Sequence, residues 1–397
     1  MKIKLTVLVT LISSIFIYGQ LNSINDIHDI IQELKTKYAP DKRVALFDVE
    51  ILKEQNDLIL SGETNIPEAK EELMEKIKIA KFNAEDQIIL LPEEKLKGKT
   101  FGLVNLSAAN LRSSPRHPAE LTTQALLGTV VKVLKCQVDF YLIQTPDQYI
   151  SWVDEDGIVT LNQEQLDDWN SNSKIIYIND FGFVYSKPDG NSQRVSDIVI
   201  GNILIQIGSE GDFVKVQFPD KRIGYIKESE VLPYKKWMDE AKPTKENIIE
   251  TAHKFVGIPY LWGGTSAKAM DCSGFTKTVY FLNGVVLDRD ASQQVNKGIL
   301  VDTENGFDKL EKGDLLFFGF KETEKRKERI THVGIYIGNL EFIHEAGLVK
   351  INSFDKKKSN FSKFRLNHFI RARRIITSLN ENGITMVKDC KFYNGEL

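Results

Sequence analysis

The sequence predicts an α+β protein assembled from several small modules. Three observations carry this expectation. The 397 residues are enough for two to four domains. The apolar periodicity is mixed helix and strand at the front and short-stranded in the middle. The last third places helices first and strands later, an α+β order. Hydrophobic content of 42% and charged content of 27% are those of an ordinary globular chain. A formal net charge of -3 gives no electrostatic case for nucleic acid.

Residues 1–20 stand apart. Lys2 and Lys4 precede an uncharged, mostly apolar run over residues 5–18, then Gly19 and Gln20. This reads as a secretory signal peptide and predicts an exported protein, periplasmic or envelope-associated. An uncleaved anchor is the alternative, but the run is shorter than the ~20 residues a spanning helix needs. No later segment reads as a membrane span, so none is expected after signal removal.

Residues 22–98 read as a small α/β module in the order α-β-β-α-β. Ile24, Ile27, Ile30, Ile31 and Leu34 recur at helical spacing until Pro40. Two strands follow over residues 44–60, with Ser61-Gly62 as a break. A charged amphipathic helix opens at Pro67, and a short strand covers residues 88–91. Two β-rich stretches come next, residues 100–165 and 174–233. Both end in a turn followed by a small residue, an aromatic and a β-branched residue: Ser151-Trp152-Val153 and Gly224-Tyr225-Ile226. This faint repeat predicts two small β-barrels. Residues 235–243 read as a polar linker. Residues 244–376 form the last module, opening with a helix from Thr244 to Gly257, and residues 377–397 are an uninformative tail.

Three cysteines are an odd number for an exported chain. Cys136 and Cys390 could bridge, but Cys136 lies in an apolar run that suits a buried, inert thiol. Cys272 differs. It follows the loop Gly263-Gly264 and precedes Phe275, Thr278, Val279, Phe281 and Leu282 at helical spacing. A thiol at a helix N-terminus meets free N–H groups and a partial positive charge, which favour the thiolate and could hold an oxyanion. A thiolate needs an imidazole partner. His332 opens the β-branched run over residues 332–337, and His344 lies twelve residues later in Phe342-Ile343-His344. As adjacent strands of one hairpin these would set the two rings side by side, with His344 orienting His332. Zinc is the rival for one Cys and two His, but the close-pair ligand spacing of metal sites is absent. No metal and no cofactor are therefore expected.

Asp271-Cys272-Ser273-Gly274-Phe275, preceded by Pro259-Tyr260-Leu261-Trp262-Gly263-Gly264 and followed by the segment 313–318, His332-Val333-Gly334-Ile335-Tyr336 and Phe342-Ile343-His344, resembles the NlpC-type family of papain-like cell-wall peptidases. The resemblance covers roughly residues 245–376. It implies a papain-like catalytic domain, with Cys272 as nucleophile, His332 as base and His344 as the orienting third residue. The segment from Ala109 to Gly128 resembles the first SH3-like barrel of γ-D-glutamyl-L-diamino acid endopeptidases, also called dipeptidyl-peptidase VI. That branch carries two bacterial SH3-like barrels ahead of the peptidase. It implies murein stem peptides as partners and release of L-Ala-γ-D-Glu from peptides with a free N-terminal L-Ala.

The same resemblance implies a substrate pocket made by Asp271, Ser273, Asp290, Glu120 and Tyr149. A carboxylate that meets the substrate ammonium rewards the free amine and penalises its absence. Simpler roles stay open at each position. Asp271 can cap a helix, Asp290 can be a turn or cap residue, and Glu120 and Tyr149 can be barrel surface. The charged run over residues 321–329 reads as a solvated hairpin tip, or instead as a segment that contacts cell-wall polymer or folds over the cleft. A wall-binding protein without activity, and an amidase or acyltransferase using the same Cys/His/His set, are the alternatives. The sequence carries no signal for oligomeric state.

Overall fold

The computed structural model describes residues 24–54 and 57–397. The proposed signal segment lies outside them. The described residues divide into two compact units, one within residues 24–40 and 45–90, the other of residues 41–44 and 91–397. Among the described residues no helix is long and apolar enough to cross a membrane.

The small unit has the expected α-β-β-α-β order: α1 (Ile24–Tyr38), β1 (Phe47–Glu54), β2 (Asp57–Thr64), α2 (Pro67–Ile79) and β3 (Ala84–Leu90). The central β2 pairs antiparallel with β1 and parallel with β3. The apolar stripe of α1, Ile27, Ile30, Ile31 and Leu34, is buried with Leu73 and Ile77 of α2 and with Phe47 and Leu60 of the sheet. Ser61-Gly62 is not a break. Gly62 pairs with Val49 on one side and Ile88 on the other, and ladders on both edges carry the strand through.

The large unit begins with two β modules. The first comprises β4 (Phe101–Val104), β5 (Ala108–Arg112), β6 (Leu121–Leu126), β7 (Val130–Gln137), β8 (Phe140–Gln144), β9 (Ile150–Asp154) and β10 (Ile158–Leu161). A helix missed in the sequence, α3 (Gln163–Ser171), follows; Asn162 and Gln165 form its capping box. The second module comprises β11 (Lys174–Tyr177), β12 (Phe181–Tyr185), β13 (Arg194–Val199), β14 (Ile203–Glu210), β15 (Phe213–Gln217), β16 (Ile223–Lys227) and β17 (Val231–Pro233). The orders are β10-β4-β7-β8-β9-β5-β6 and β13-β12-β16-β15-β14-β11-β17. Counted within each module, these are one order read in opposite directions, so the faint repeat is a structural one. Each is a seven-stranded sheet with two end strands. The expected barrels are thus sheets without a ladder joining their ends among the described residues.

The segment read as a polar linker starts instead with α4 (Tyr234–Glu240). Tyr234 and Trp237, three residues apart, stack at 5.7 Å on its buried face. Then come α5 (Lys245–Lys254), capped by Thr244, the short strands β18 (Thr265–Ser266) and β19 (Ala269–Met270), α6 (Cys272–Leu282), β20 (Val285–Val286), α7 (Ala291–Gln294) and β21 (Ile299–Val301). The sheet strands β22 (Leu315–Phe320), β23 (Arg329–Gly338), β24 (Glu341–Glu345) and β25 (Val349–Ser353), helix α8 (Lys363–Asn367) and β26 (Phe369–Arg374) complete the module. The sheet runs β21-β26-β22-β23-β24-β25. Phe275 and Val279 of α6 pack in one core with Phe317, Val333, Ile335 and Ile343 of the sheet. That packing holds the start of α6 against β23. The tail is not idle: Thr385–Met386 pairs with β20, and Phe392 is buried with Trp237 and Phe281. All three cysteines are free. Cys136 is half-buried rather than buried, and Cys390 is buried in the core that the tail shares with the β modules and α4.

Candidate functional site

Cys272 is the first residue of α6, and Asp271 is its N-cap, accepting from the Gly274 N–H at 2.8 Å. Gly274 permits this turn to pack on the preceding loop. A Cβ there would lie 2.0 Å from the Gly264 carbonyl oxygen. Asp271 also accepts from the Gly263 N–H at 2.9 Å, from the Ser273 hydroxyl at 3.2 Å, and from Arg289 Nη1 and Nη2 at 3.1 and 2.6 Å. Arg289 is 1% exposed. The pair is therefore a buried ion pair with its carboxylate fully hydrogen-bonded, the condition under which such a pair is tolerated.

The helix end does not make Cys272 a thiolate. Burial, and next the Asp271 charge, push the thiol up to about 12. The N–H groups of Val333 and Ser273 and the Arg289 charge pull the other way and lose. The involvement of the Val333 N–H sets the sulfur against β23 beside His332.

The two histidines sit on neighbouring antiparallel strands, His332 on β23 and His344 on β24. Gly334 lets the strands approach, since a Cβ there would lie 2.9 Å from the His344 Cβ. His332 Nε2 is 2.7 Å from His344 Nδ1, and His344 Nε2 is 2.8 Å from Asn352 Oδ1 of β25. Asn352 Nδ2 donates to the Asn360 carbonyl at 3.0 Å, which fixes the amide with its oxygen toward His344. His344 must then carry its proton on Nε2, so Nδ1 accepts, and His332 must donate from Nε2. His332 Nδ1 is left as the unprotonated nitrogen. Burial, then the Arg365 charge, hold His332 well below its ordinary range; burial lowers His344 to about 3. Both rings are neutral at neutral pH.

A cleft of about 720 Å³ opens over this centre. It is lined by Asp271, Cys272, Ser273, Asp290, Glu120 and Tyr149, so six of the eight sequence-predicted site residues share one cavity wall. His332 follows the lining residue Thr331 and, like His344, is buried behind that wall. Glu120 and Tyr149 come from the first β module. Glu120 accepts from Trp262 Nε1 at 2.8 Å and, among the described residues, makes no ion pair. The Tyr149 hydroxyl donates to Asp290 Oδ2 at 3.2 Å. The hairpin run over residues 321–329 is exposed along its length, as the solvated reading expects. Its tip is exposed, with a turn between Thr323 and Arg326, while Glu328 and Arg329 at its base line the cleft.

Four contributors were missed in the sequence. Trp262 and Arg289 stood inside the runs already singled out, and an aromatic N–H or a guanidinium beside a carboxylate was a usable signal. Asn352 and Arg43 carried none, because only the strand register and the long-range packing bring them in.

The segment over residues 257–371 matches the NlpC/P60 family, and residues 107–159 match the bacterial SH3 domain. A γ-D-glutamyl-L-lysine dipeptidyl-peptidase of Bacillus cereus is 31% identical over 234 residues, 57% of this chain and 67% of that protein. A dipeptidyl-peptidase 6 of Lysinibacillus sphaericus is 28% identical over 258 residues, 63% of this chain and 90% of that protein. A solved NlpC/P60 family protein from Bacillus cereus superposes with a TM-score of 0.59 at 25% identity, covering 70% of this chain and 99% of that one. The family matches take in the first β module and the Cys/His-bearing domain, and with the relative 31% identical over 67% of its length they show that this chain belongs to the NlpC/P60 family of cell-wall cysteine peptidases.

Proposed function

We propose that the enzyme hydrolyses the γ-D-glutamyl–diamino acid bond of murein peptides that begin with free L-Ala, releasing L-Ala-γ-D-Glu. The observation that carries this reading is the place of Glu120 in the cleft. There the first β module sets Glu120, a carboxylate without a cationic partner among the described residues, into the same cavity as Cys272. An unpaired carboxylate lining the cleft favours a substrate that brings its own ammonium and discriminates against a capped one. Asp271 is already engaged by five donors, so its part in the pocket is to hold the wall and add its field. Asp290 and Ser273 complete that wall. The names of the relatives in Bacillus cereus and Lysinibacillus sphaericus agree with this substrate class.

In this mechanism Cys272 is the nucleophile and His332 the base. The resting pair is neutral thiol and neutral imidazole. As the sulfur attacks the γ-glutamyl carbonyl carbon, its proton passes to His332 Nδ1, the nitrogen the tautomer chain leaves free. The resulting imidazolium is stabilised by His344, whose Nδ1 accepts the Nε2–H. The Cys272 backbone N–H, unsatisfied at the first turn of α6, faces the developing oxyanion. Collapse breaks the C–N bond, and His332 returns the proton to the leaving amine. Water then attacks the thioester, giving its proton to His332, and the sulfur leaves with that proton. The net reaction consumes one water and yields L-Ala-γ-D-Glu and the amine.

The test is a product assay by mass spectrometry on L-Ala-γ-D-Glu-diamino acid tripeptides with free and acetylated N-termini. Release of L-Ala-γ-D-Glu from the free peptide and its loss on acetylation is the expected result. Equal cleavage of both, or cleavage at another bond, overturns the assignment.

A further inference from the structure

Residues 41–44 lie in sequence between α1 and β1, yet they pack as part of the large unit. Their contacts divide between the two walls of the cleft. On the side of the first β module, the Arg43 carbonyl accepts from the Ile150 N–H at 2.6 Å, next to Tyr149, and the Val44 carbonyl accepts from Gln144 Nε2 at 3.1 Å. On the peptidase side, Arg43 Nη1 donates to Asp290 Oδ2 at 2.7 Å and to Ser292 Oγ at 2.9 Å. Gln293 Nε2 donates to Asp41 Oδ2 at 2.8 Å. Arg43 itself lines the cleft.

The charge arrangement gives this strap a direction of action. Asp41 grips the same guanidinium twice, Oδ1 to Nε at 2.8 Å and Oδ2 to Nη2 at 2.7 Å. A paired arginine of this kind has one carboxylate cancelling its charge and a rigid fork left to orient a second. Arg43 and Tyr149 both donate to Asp290 Oδ2, at 2.7 and 3.2 Å. The same carboxylate is held by the capping box of α7 and by an ion pair from Arg289 Nη1 to Oδ1 at 4.0 Å, and Asp290 lines the cleft.

We propose that Arg43, supplied from outside both the β modules and the peptidase module, is a specificity-determining positioning residue: it staples Tyr149 to Asp290 and presents the Asp290 carboxylate to the substrate's ammonium. This rests on the free-amine reading above. The strap orients an anion without adding net positive charge to the pocket, so it strengthens ammonium binding and does not compete with it. Its action is on binding of the amino end and not on the proton transfers at the sulfur.

The experiment compares wild type, Arg43→Gln, Arg43→Lys and Asp41→Asn in the full chain on the free and the acetylated tripeptide, with thermal melting as a check on folding. Arg43→Gln is expected to raise KM for the free tripeptide about tenfold with kcat within about threefold. Arg43→Lys, which keeps a cationic donor for Asp290, is expected to recover part of that loss. Asp41→Asn, which keeps Arg43 but frees its fork, is expected to raise KM less than Arg43→Gln. An unchanged KM in Arg43→Gln, or a fall in kcat with KM unchanged, overturns the role of Arg43 while wild-type discrimination between the two peptides stands. Loss of discrimination in wild type itself overturns the underlying free-amine reading. Should Arg43→Gln melt below the assay temperature, Asp41→Asn and Arg43→Lys decide alone: no KM change in either overturns the proposal.

Discussion

His332 Nε2 and His344 Nδ1 lie 2.7 Å apart, and the direction of that hydrogen bond is fixed by a third residue, Asn352, which accepts from His344 Nε2 at 2.8 Å. The relay runs from the Asn352 amide through His344 to His332 Nδ1, the nitrogen that acts as base in the proposed mechanism. Its value is positional: only one of two tautomers of neutral His332 leaves Nδ1 able to take a proton.

The relay sets the outcome of mutation. Cys272→Ala and His332→Ala are each expected to abolish turnover of the free tripeptide while melting temperature stays close to wild type. Asn352→Leu is expected to lower kcat by roughly 10- to 100-fold with little change in KM. The positioned base supplies about 10²–10⁴ in rate, and a mis-set tautomer forfeits part of it. A kcat within twofold of wild type would show that the amide does not set the tautomer.

Glu120 gives a second expectation. Glu120→Gln keeps the shape and the bond from Trp262 but removes the charge. A hydrogen bond to a charged group contributes about 1.5–3 kcal/mol, so KM for the free tripeptide is expected to rise by roughly 10- to 100-fold. The ratio of free to acetylated turnover should shrink by a similar factor. Competition by L-Ala-γ-D-Glu reads the same loss without turnover, and an unchanged inhibition constant would remove Glu120 from the pocket.

The pH profile follows from burial. His332 must be neutral to act, and burial with the Arg365 charge holds its pKa well below 6.5. The acid limb of kcat/KM should therefore fall below pH 6.5, not at it. The thiol, pushed up to about 12, keeps its proton through the neutral range. Wild type and Cys272→Ala should then show no difference in ultraviolet thiolate absorbance at pH 7. A thiolate signal there would mean an ion pair forms at rest and that burial does not control the sulfur.

How much of this was legible in the sequence depends on distance along the chain. Cys272, Asp271 and Ser273 are local: the Gly-Gly loop, the cap and the apolar helix spacing place them in one turn. His332 and His344 needed only a hairpin, which the β-branched run and its spacing supply. Tyr234 and Trp237 were hidden in a charged stretch where two aromatics three residues apart were the only helix signal. Arg43 lies 247 residues from Asp290 and Asn352 is reached through the β24–β25 register, so no local pattern announces either. Nor does spacing reveal that burial of Cys272 outweighs its helix end, because that balance depends on how completely the core closes over the first turn of α6.

Glu345 carries a last expectation, about stability. It follows His344 on β24, has no exposed surface, and neither of its oxygens makes a well-formed hydrogen bond among the described residues. Burial, then the Asp271 charge, raise its carboxyl from 4.5 to about 7. A raised acid favours the protonated folded form, so its stabilising contribution is complete below about pH 4.5 and is lost as pH rises through about 7. Glu345→Gln cannot ionise and should escape that loss. At pH 8 the variant is expected to be about 1–3 kcal/mol more stable than wild type to urea, with the difference vanishing near pH 4. A stability gap that is the same at both pH values would assign the effect to packing of the amide, not to titration of the acid.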